Sequence, residues 1–387
     1  MQRVLFVRGK MAPPWEAPVL RYLNDYGYDA RFLVSNLNPE IEGSLQIRGK
    51  NLSSSSLLDR MLNRSTLAKI LNYGLNVKTS EYTSRYLLPG KIILNSDILH
   101  LVDDIYSSSL QALNFTQTAV MTVWENIPYH FGIEYGRPTK RYREKAFAKI
   151  RKFLPVTLES QKYLMAYGIP EEKIEVIHPG IDVDLFSQAQ PHSDLSRKIM
   201  DSGRNIILGV SRLEYFKGIT ITIRALQELK MERNDFLYVH VGTGSSKFRQ
   251  YILEMSRKLG LEKNVLFPGS IPYSQIPDLY SVCDLFVLPS IPTLLWEEQL
   301  GFSLLEAMSA GKPVLASDLP AIREVVGNES GNLFPAGNYI TLYEHISRLL
   351  NDVNLRKKMG ENGKKRVATE FNARNTAQKY AKIYKSL

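Results

Sequence analysis

Short, largely apolar runs recur along this chain with helical stretches between them, and the whole pattern occurs twice. Val4–Val7, Ala30–Val34, Ile98–Val102, Ala119–Val123 and Phe153–Leu158 form the first set, with helical segments Glu16–Tyr26, Leu57–Tyr73 and Lys140–Lys152 between them. A strand buried on both faces loses the alternation of polar and apolar residues, and strands separated by helices must lie parallel. The second set comprises Ile206–Val210, Leu237–Val241, Val265–Phe267, Leu285–Leu288 and Val314–Ala316. Its helices fall at Ile219–Met231, Lys247–Leu259, Ile276–Val282 and Phe302–Ala310. The expected fold is therefore α/β, with two doubly wound parallel sheets in tandem, and 387 residues are enough for two such domains. The polar, weakly patterned stretch Ser187–Ser202 is the expected linker, which gives an N-terminal domain over 1–188 and a C-terminal domain over 189–370. From Leu355 to Leu387 the chain reads as helical with a break near Phe371–Asn372, and the helix over 371–387 is expected to cross back to the first domain. Ser53–Ser56 reads as a loop and helix N-cap.

Composition narrows the partners. One cysteine, Cys283, excludes an internal disulfide and a cysteine zinc cluster, so the expected setting is reducing and cytoplasmic. With Tyr280, Leu285 and Phe286 around it, Cys283 reads as an inert buried thiol. The first apolar run is too short for a signal peptide, and no stretch approaches the ~18 apolar residues of a spanning helix. A net charge of +10 favours partners that carry negative charge, namely phosphates or an anionic membrane face. The surplus is spread over both halves and lacks the concentrated basic stripe that nucleic acid requires, so no nucleic-acid partner is expected. Arg137–Lys152 carries eight basic residues against one acid, Glu144, and Leu57–Tyr73 sets Arg60, Arg64 and Lys69 among apolar residues. Both segments read either as ordinary domain helices or as peripheral contacts with the inner face of the cell membrane.

The densest motif runs from Glu298 through Gly301, Phe302, Ser303 and Glu306 to Gly311 and Pro313. A helix beginning at Phe302 presents amide N–H groups and the positive end of its dipole, a seat for phosphate held by backbone alone. Gly301 permits close approach, Glu306 is placed to accept from a ribose diol, and Glu298 to reach the hydroxyls of an attached sugar. Their apolar company argues against two solvated surface carboxylates. A second motif, Gly209 to Gly218, leaves a strand end and carries Ser211, Arg212 and Lys217. A forked guanidinium and a compact ammonium suit a diphosphate whose charge grows as it departs, although cations on a loop are common. Val241-Gly242-Thr243-Gly244 offers another close-approach turn, and Ser270-Ile271 either lines a base pocket or is a plain turn. Asp103-Asp104 reads as a helix N-cap rather than half of a metal site, and His100 as a satisfied core histidine.

Together these motifs resemble glycosyltransferase family 4 over about Val176–Gly337, with likeness only in pattern before it. Ile177-His178-Pro179-Gly180-Ile181-Asp182 and Leu285 to Ser290 are similar to its strand and loop signatures. The resemblance implies the GT-B fold, two Rossmann-like domains facing a central cleft, and a retaining hexosyltransferase-type reaction. It implies a nucleotide diphosphate sugar as donor, no cofactor and no metal. Carried over, Arg212 and Lys217 bind the diphosphate, Glu306 the ribose and Glu298 the transferred sugar, with the amides of Phe302 and Ser303 near the phosphate. Where the family has a glycine-rich loop after the first strand, this chain has Arg8 to Glu16 with Gly9, Lys10 and Trp15. Where many members have a site histidine, it has Trp124-Glu125-Asn126, with His130 further on; Glu125 is the candidate polar group facing the sugar. Trp15, Trp124, Asn126 and His130 are the candidates on the acceptor side, for a lipid-linked or other glycan acceptor. Two rival readings use the same architecture: a nucleotide-sugar epimerase, and a catalytically inactive nucleotide-sugar-binding subunit. A nicotinamide-dependent oxidoreductase is disfavoured, because no Gly-x-Gly-x-x-Gly follows any strand.

Overall fold

The computed structural model describes residues 1–8, 11–34, 36–48, 93–103, 112–113, 118–127, 147–294 and 296–387. Two compact units form, one from Met1–Gly180 with Ala373–Leu387 and the other from Ile181–Asn372. The chain leaves the first unit at Gly180, earlier than the expected boundary at 188/189. The stretch read as a linker instead supplies the helix Asp194–Met200 to the second unit, capped by Ser193, which accepts from the Ser196 amide. Only Ser196 and Ile199 of that helix are buried, so its overall polarity concealed it.

The first unit holds six parallel strands: β1 (Gln2–Val7), β2 (Tyr28–Val34), β3 (Gln46–Arg48), β4 (Ile98–Val102), β5 (Ala119–Val123) and β6 (Ile150–Pro155), in the order β3-β2-β1-β4-β5-β6. The second holds β7 (Asn205–Val210), β8 (Phe236–Val241), β9 (Val265–Gly269), β10 (Leu285–Leu288), β11 (Val314–Ser317) and β12 (Gly331–Phe334), in the order β12-β11-β10-β7-β8-β9. The winding is the same in both. Three strands run outward from the first, then the chain returns to the first strand's other side and runs outward again. The direction reverses between β1 and β4, and between β7 and β10. Loops leaving two such neighbours diverge to opposite faces and open a crevice at the strands' carboxyl ends.

Strands β4, β5, β8, β10 and β11 are buried at every position, which is why their sequences are almost entirely apolar, with at most one buried polar residue such as His100, Thr122, His240 or Ser317. Each fully buried aliphatic side chain contributes about 1.5–3 kcal/mol relative to exposure. The two strands without an apolar run, β3 and β12, are both edge strands with half-exposed residues. At the opposite edge, β6 begins at Ile150 and ends at Pro155, so the strand expected over Phe153–Leu158 is shifted. A proline without an N–H is tolerated at an edge. Thr157 then caps the helix Leu158–Ala166 by accepting from the Ser160 amide at 3.3 Å. The helix expected over Lys140–Lys152 gives way to β6 at its end, and residues 140–146 lie outside the described residues, as do Ser53–Ser56 and Leu57–Tyr73.

The helices Val353–Glu370 and Ala373–Lys385 are separated by a break at Phe371–Asn372. The second packs on the first sheet. There His100, fully buried in β4, sits with Nδ1 2.5 Å from the Tyr384 hydroxyl and Nε2 2.6 Å from Thr122 Oγ1. Its ring stacks on Phe6 at 4.2 Å. Burial lowers its pKa to about 3, so the imidazole stays neutral and serves as a structural anchor for the terminal helix. Cys283 is buried, its thiol pushed up to about 12 by the loss of solvent, and is accordingly inert. Among the described residues no helix is long and apolar enough to cross a membrane.

Candidate functional site

Strand β7 ends in a loop that turns through Tyr215–Lys217 to Gly218 and enters the helix Ile219–Glu232. Gly218 has φ 66°, and a Cβ placed on it would lie 1.8 Å from the carbonyl oxygen of Pro289. Only glycine lets this turn close down on the loop leaving β10. Lys217 is thereby carried over the β10 exit, where its Nζ lies 2.7 Å from Glu298 Oε2 and 4.5 Å from the centre of the Trp296 ring. The Ser290 hydroxyl donates to the same carboxylate oxygen at 2.7 Å. The Lys217 and Glu298 side chains are only 11% and 10% exposed, so their attraction is less screened than at an open surface. Gly301, at the head of the helix Phe302–Ser309, rests against Leu288, the last residue of β10. Lys217, Glu298 and the tip of that helix therefore meet around Leu288-Pro289-Ser290, where the second sheet reverses direction. Arg212 is exposed and stands 5.4 Å from the centre of the Phe216 ring, which itself lies 4.3 Å from Trp296.

One turn into the helix, Glu306 is 4% exposed. Its Oε1 accepts from the Tyr273 hydroxyl at 3.0 Å and its Oε2 from the Tyr280 hydroxyl at 2.9 Å. Burial raises its pKa to about 7 against the lowering effect of those two hydrogen bonds. A carboxylate oxygen has room for more than one donor, so the tyrosines orient the group without exhausting it.

The glycines after β8 have a different reason from the one expected. A Cβ on Gly242 would lie 1.9 Å from the Ser211 carbonyl oxygen, and one on Gly244 would lie 2.1 Å from that of Leu213. The close approach they allow is of one loop's backbone to another's. Ser211 is half-buried, its amide donating to Val241 at 3.1 Å and its hydroxyl 3.5 Å from His240 Nε2. Ser270 is exposed and Ile271 half-buried, just past the Gly269 carbonyl that accepts from the Gly242 amide at 2.9 Å. The loops carrying Ser211, Gly242 and Ser270 thus lie in register along β7, β8 and β9.

The remaining candidates belong to the first unit. Trp124 is half-buried against its core, while Glu125 and Asn126 are buried directly after β5. Trp15 is half-buried in the turn Pro14–Glu16, which Arg8 ties to the end of β1 through a 3.1 Å ion pair with Glu16. Asp103, just past β4, is buried with φ 64°. Gly9, Lys10, Asp104 and His130 lie outside the described residues. Sequence reasoning missed Ser290, Trp296, Phe216, Tyr273 and Tyr280. Trp296 and Phe216 were detectable in principle, since each is an aromatic residue within two positions of a charged candidate. The tyrosines were not, because their distance in sequence from Glu306 hides the contact.

Lys217, Glu298 and the tip of the Phe302–Ser309 helix meet at the sheet reversal, with Arg212 against Phe216 and Glu306 one turn into the helix, an arrangement chemically suited to an anionic ligand that also carries hydroxyl groups. Residues 194–366 match the family model described as glycosyl transferases group 1. The chain is 30% identical over 226 residues to an uncharacterized glycosyltransferase of Methanocaldococcus jannaschii, covering 57% of this chain and 55% of that protein. It is 26% identical over 348 residues to an N,N'-diacetylbacillosaminyl-diphospho-undecaprenol alpha-1,3-N-acetylgalactosaminyltransferase of Campylobacter jejuni, covering 82% and 87%. The first curated relatives are thus matched over little more than half their length. Among solved structures, a Rickettsia africae glycosyltransferase superposes with a TM-score of 0.73 at 22% identity, covering 100% of this chain and 98% of that one. Anabaena HepE, solved with UDP, superposes at 0.70 and 20% identity, covering 100% of both. The chain has the GT-B fold, and its residues 194–366 carry the sequence pattern of the group 1 glycosyl transferases.

Proposed function

We propose that this chain is a retaining glycosyltransferase whose donor is a nucleotide diphosphate sugar and whose acceptor is a hydroxyl of a lipid-linked or cell-surface glycan. The observation that carries the reading is the meeting of Lys217, Glu298 and the Phe302 helix tip at the β10 exit. The Campylobacter relative, whose name specifies a diphospho-undecaprenol-linked sugar, supports the acceptor class. HepE, solved with UDP-glucose, supports the donor class. The chemistry balances without an added reagent. The bond between the sugar's anomeric carbon and the diphosphate breaks as the acceptor oxygen attacks from the same face, and the acceptor proton passes to a phosphate oxygen of the leaving group. Lys217 and Arg212 take up the growing negative charge with the Phe302 and Ser303 amides, Glu298 holds the sugar hydroxyls, and Glu306 binds the ribose diol. Ser211, Gly242, Gly244, Ser270, Ile271 and Gly301 shape the nucleotide seat. Glu125, buried directly after β5, is the first unit's candidate polar group for this reaction. Trp15, Trp124 and Asn126 are the described residues of the first unit proposed for binding the acceptor. The basic surplus suits work at the cytoplasmic face of a membrane.

The test is incubation with UDP-, GDP- and ADP-sugars, with and without a cell lipid extract, following nucleoside diphosphate release and the anomeric configuration of the product by NMR. Acceptor-dependent release with an α product from an α donor is the expected result. An inverted product removes the retaining assignment, and no release with any pairing removes the reading.

Glu306 adds a pH dependence. Its carboxyl, raised from 4.5 to about 7, keeps in the folded protein a proton that the unfolded chain gives up. The free protein therefore loses stability as pH rises through that interval. Ribose hydroxyls donate best to the ionised form, so nucleotide binding releases a proton. Affinity is expected to rise by roughly tenfold between about pH 6 and about pH 8. Calorimetry in buffers of different ionisation enthalpy reads the proton release, and Glu306→Gln should flatten the profile; an unchanged slope in that variant would remove Glu306 from the ribose site.

A further inference from the structure

The two cations expected at the diphosphate are separated by two aromatic rings that face each other. Arg212 Cζ lies 5.4 Å from the Phe216 centroid, Phe216 lies 4.3 Å from Trp296 at 40°, and Trp296 lies 4.5 Å from Lys217 Nζ. Each group thus contacts the next in the order Arg212, Phe216, Trp296 and Lys217. The rings are held from behind. The Ile291 amide donates to the Phe216 carbonyl at 2.8 Å, and the amide and hydroxyl of Thr293 both donate to the Trp296 carbonyl, at 2.8 and 3.3 Å. The first of these bonds ties the β7 exit loop to the β10 exit loop.

A lysine ammonium on a four-carbon stem has many rotamers, and one carboxylate at 2.7 Å leaves it free to pivot about that contact. A ring face on a second side removes the pivot, because the ring's negative face attracts the ammonium and its flat surface covers the stem. Phe216 does the same for Arg212 from the far side of the aromatic pair. We infer that Trp296 and Phe216 are positioning residues that fix the spacing and direction of the two cations toward a diphosphate. The inference rests on the proposed donor site.

The test is calorimetric titration with UDP, GDP and ADP, followed by variants studied with whichever of the three the wild-type protein binds tightest. Trp296→Leu is expected to weaken that binding about tenfold, and Trp296→Phe, which keeps a ring, to stay within about threefold. In a Lys217→Ala background Trp296→Leu should cause no further loss, which a merely structural role would not produce. Phe216→Leu, paired with Arg212→Ala, gives the same comparison if Trp296→Leu fails to fold. Wild-type affinity in Trp296→Leu, an undiminished loss in the Lys217→Ala background, or no rescue by phenylalanine overturns the inference alone. Failure of the wild-type protein to bind any of the three overturns the donor site and the inference with it.

Discussion

Lys217→Ala is expected to lower the turnover of sugar transfer by roughly a thousandfold, with the melting temperature changed by only a few degrees. The asymmetry follows from where the side chain sits. In the free protein its ammonium pairs with Glu298, and Ser290 still donates to that carboxylate when the lysine is gone, so the carboxylate keeps a partner. In the proposed reaction the ammonium faces charge that appears only as the diphosphate leaves. A single preorganised donor of this kind is worth about 3–4 kcal/mol in the transition state. Glu298→Ala should act differently, because it leaves the largely buried Lys217 ammonium without its carboxylate and removes the proposed contact to the sugar. Its larger effect should appear in discrimination between donor sugars. Initial rates against a panel of donors, with circular dichroism as the check on folding, separate the two. Turnover in Lys217→Ala within a few-fold of wild type would remove the lysine from the chemistry.

Gly218→Val should be the most damaging single substitution in the β7 exit loop, costing about 3 kcal/mol of stability and nearly all nucleotide binding. A Cβ there meets the Pro289 carbonyl oxygen at 1.8 Å, a backbone atom that cannot rotate away. Gly203 makes the control. Its φ of 64° is close to the 66° of Gly218, yet a Cβ on Gly203 meets nothing within 4 Å. Gly203→Ala therefore isolates the backbone cost, about 1–2 kcal/mol. The difference between the variants in denaturant midpoint measures how firmly the loop is pressed onto β10. Equal losses would mean that the loops separate easily and that Lys217 is not held over the β10 exit by that contact.

The parts of the fold that were legible in the sequence are those buried on both faces. β4, β5 and β10 fall where their apolar runs lie, because a central parallel strand has no wet side to interrupt the run. β3 and β12 were invisible for the converse reason: each is an edge strand, partly exposed and polar. β6 was misplaced because Val156, Thr157 and Leu158 extend the strand-like run, whereas Thr157 turns the chain by capping a helix. At the site, Lys217 and Glu298 could be named from their motifs because Lys217 stands beside Gly218 and Glu298 three residues before Gly301, two glycines with positive φ. What could not be read was the support behind them. Ser290 reaches Glu298 through a turn, and Tyr273 and Tyr280 reach Glu306 from an earlier helix and the turn before it. Gly242 and Gly244 were readable as close-approach positions, but the approaching group, the backbone of the neighbouring loop, is a tertiary fact.

The reversal point between β7 and β10 is proposed to hold a nucleoside diphosphate. A crystal structure of the protein grown with UDP, GDP or ADP tests it most directly. The two phosphates are expected at the carboxyl ends of β7 and β10, with Lys217 Nζ and the amides at the head of the Phe302–Ser309 helix within hydrogen-bonding distance. A nucleotide bound instead at the ends of β1 and β4, or away from Lys217, would contradict it.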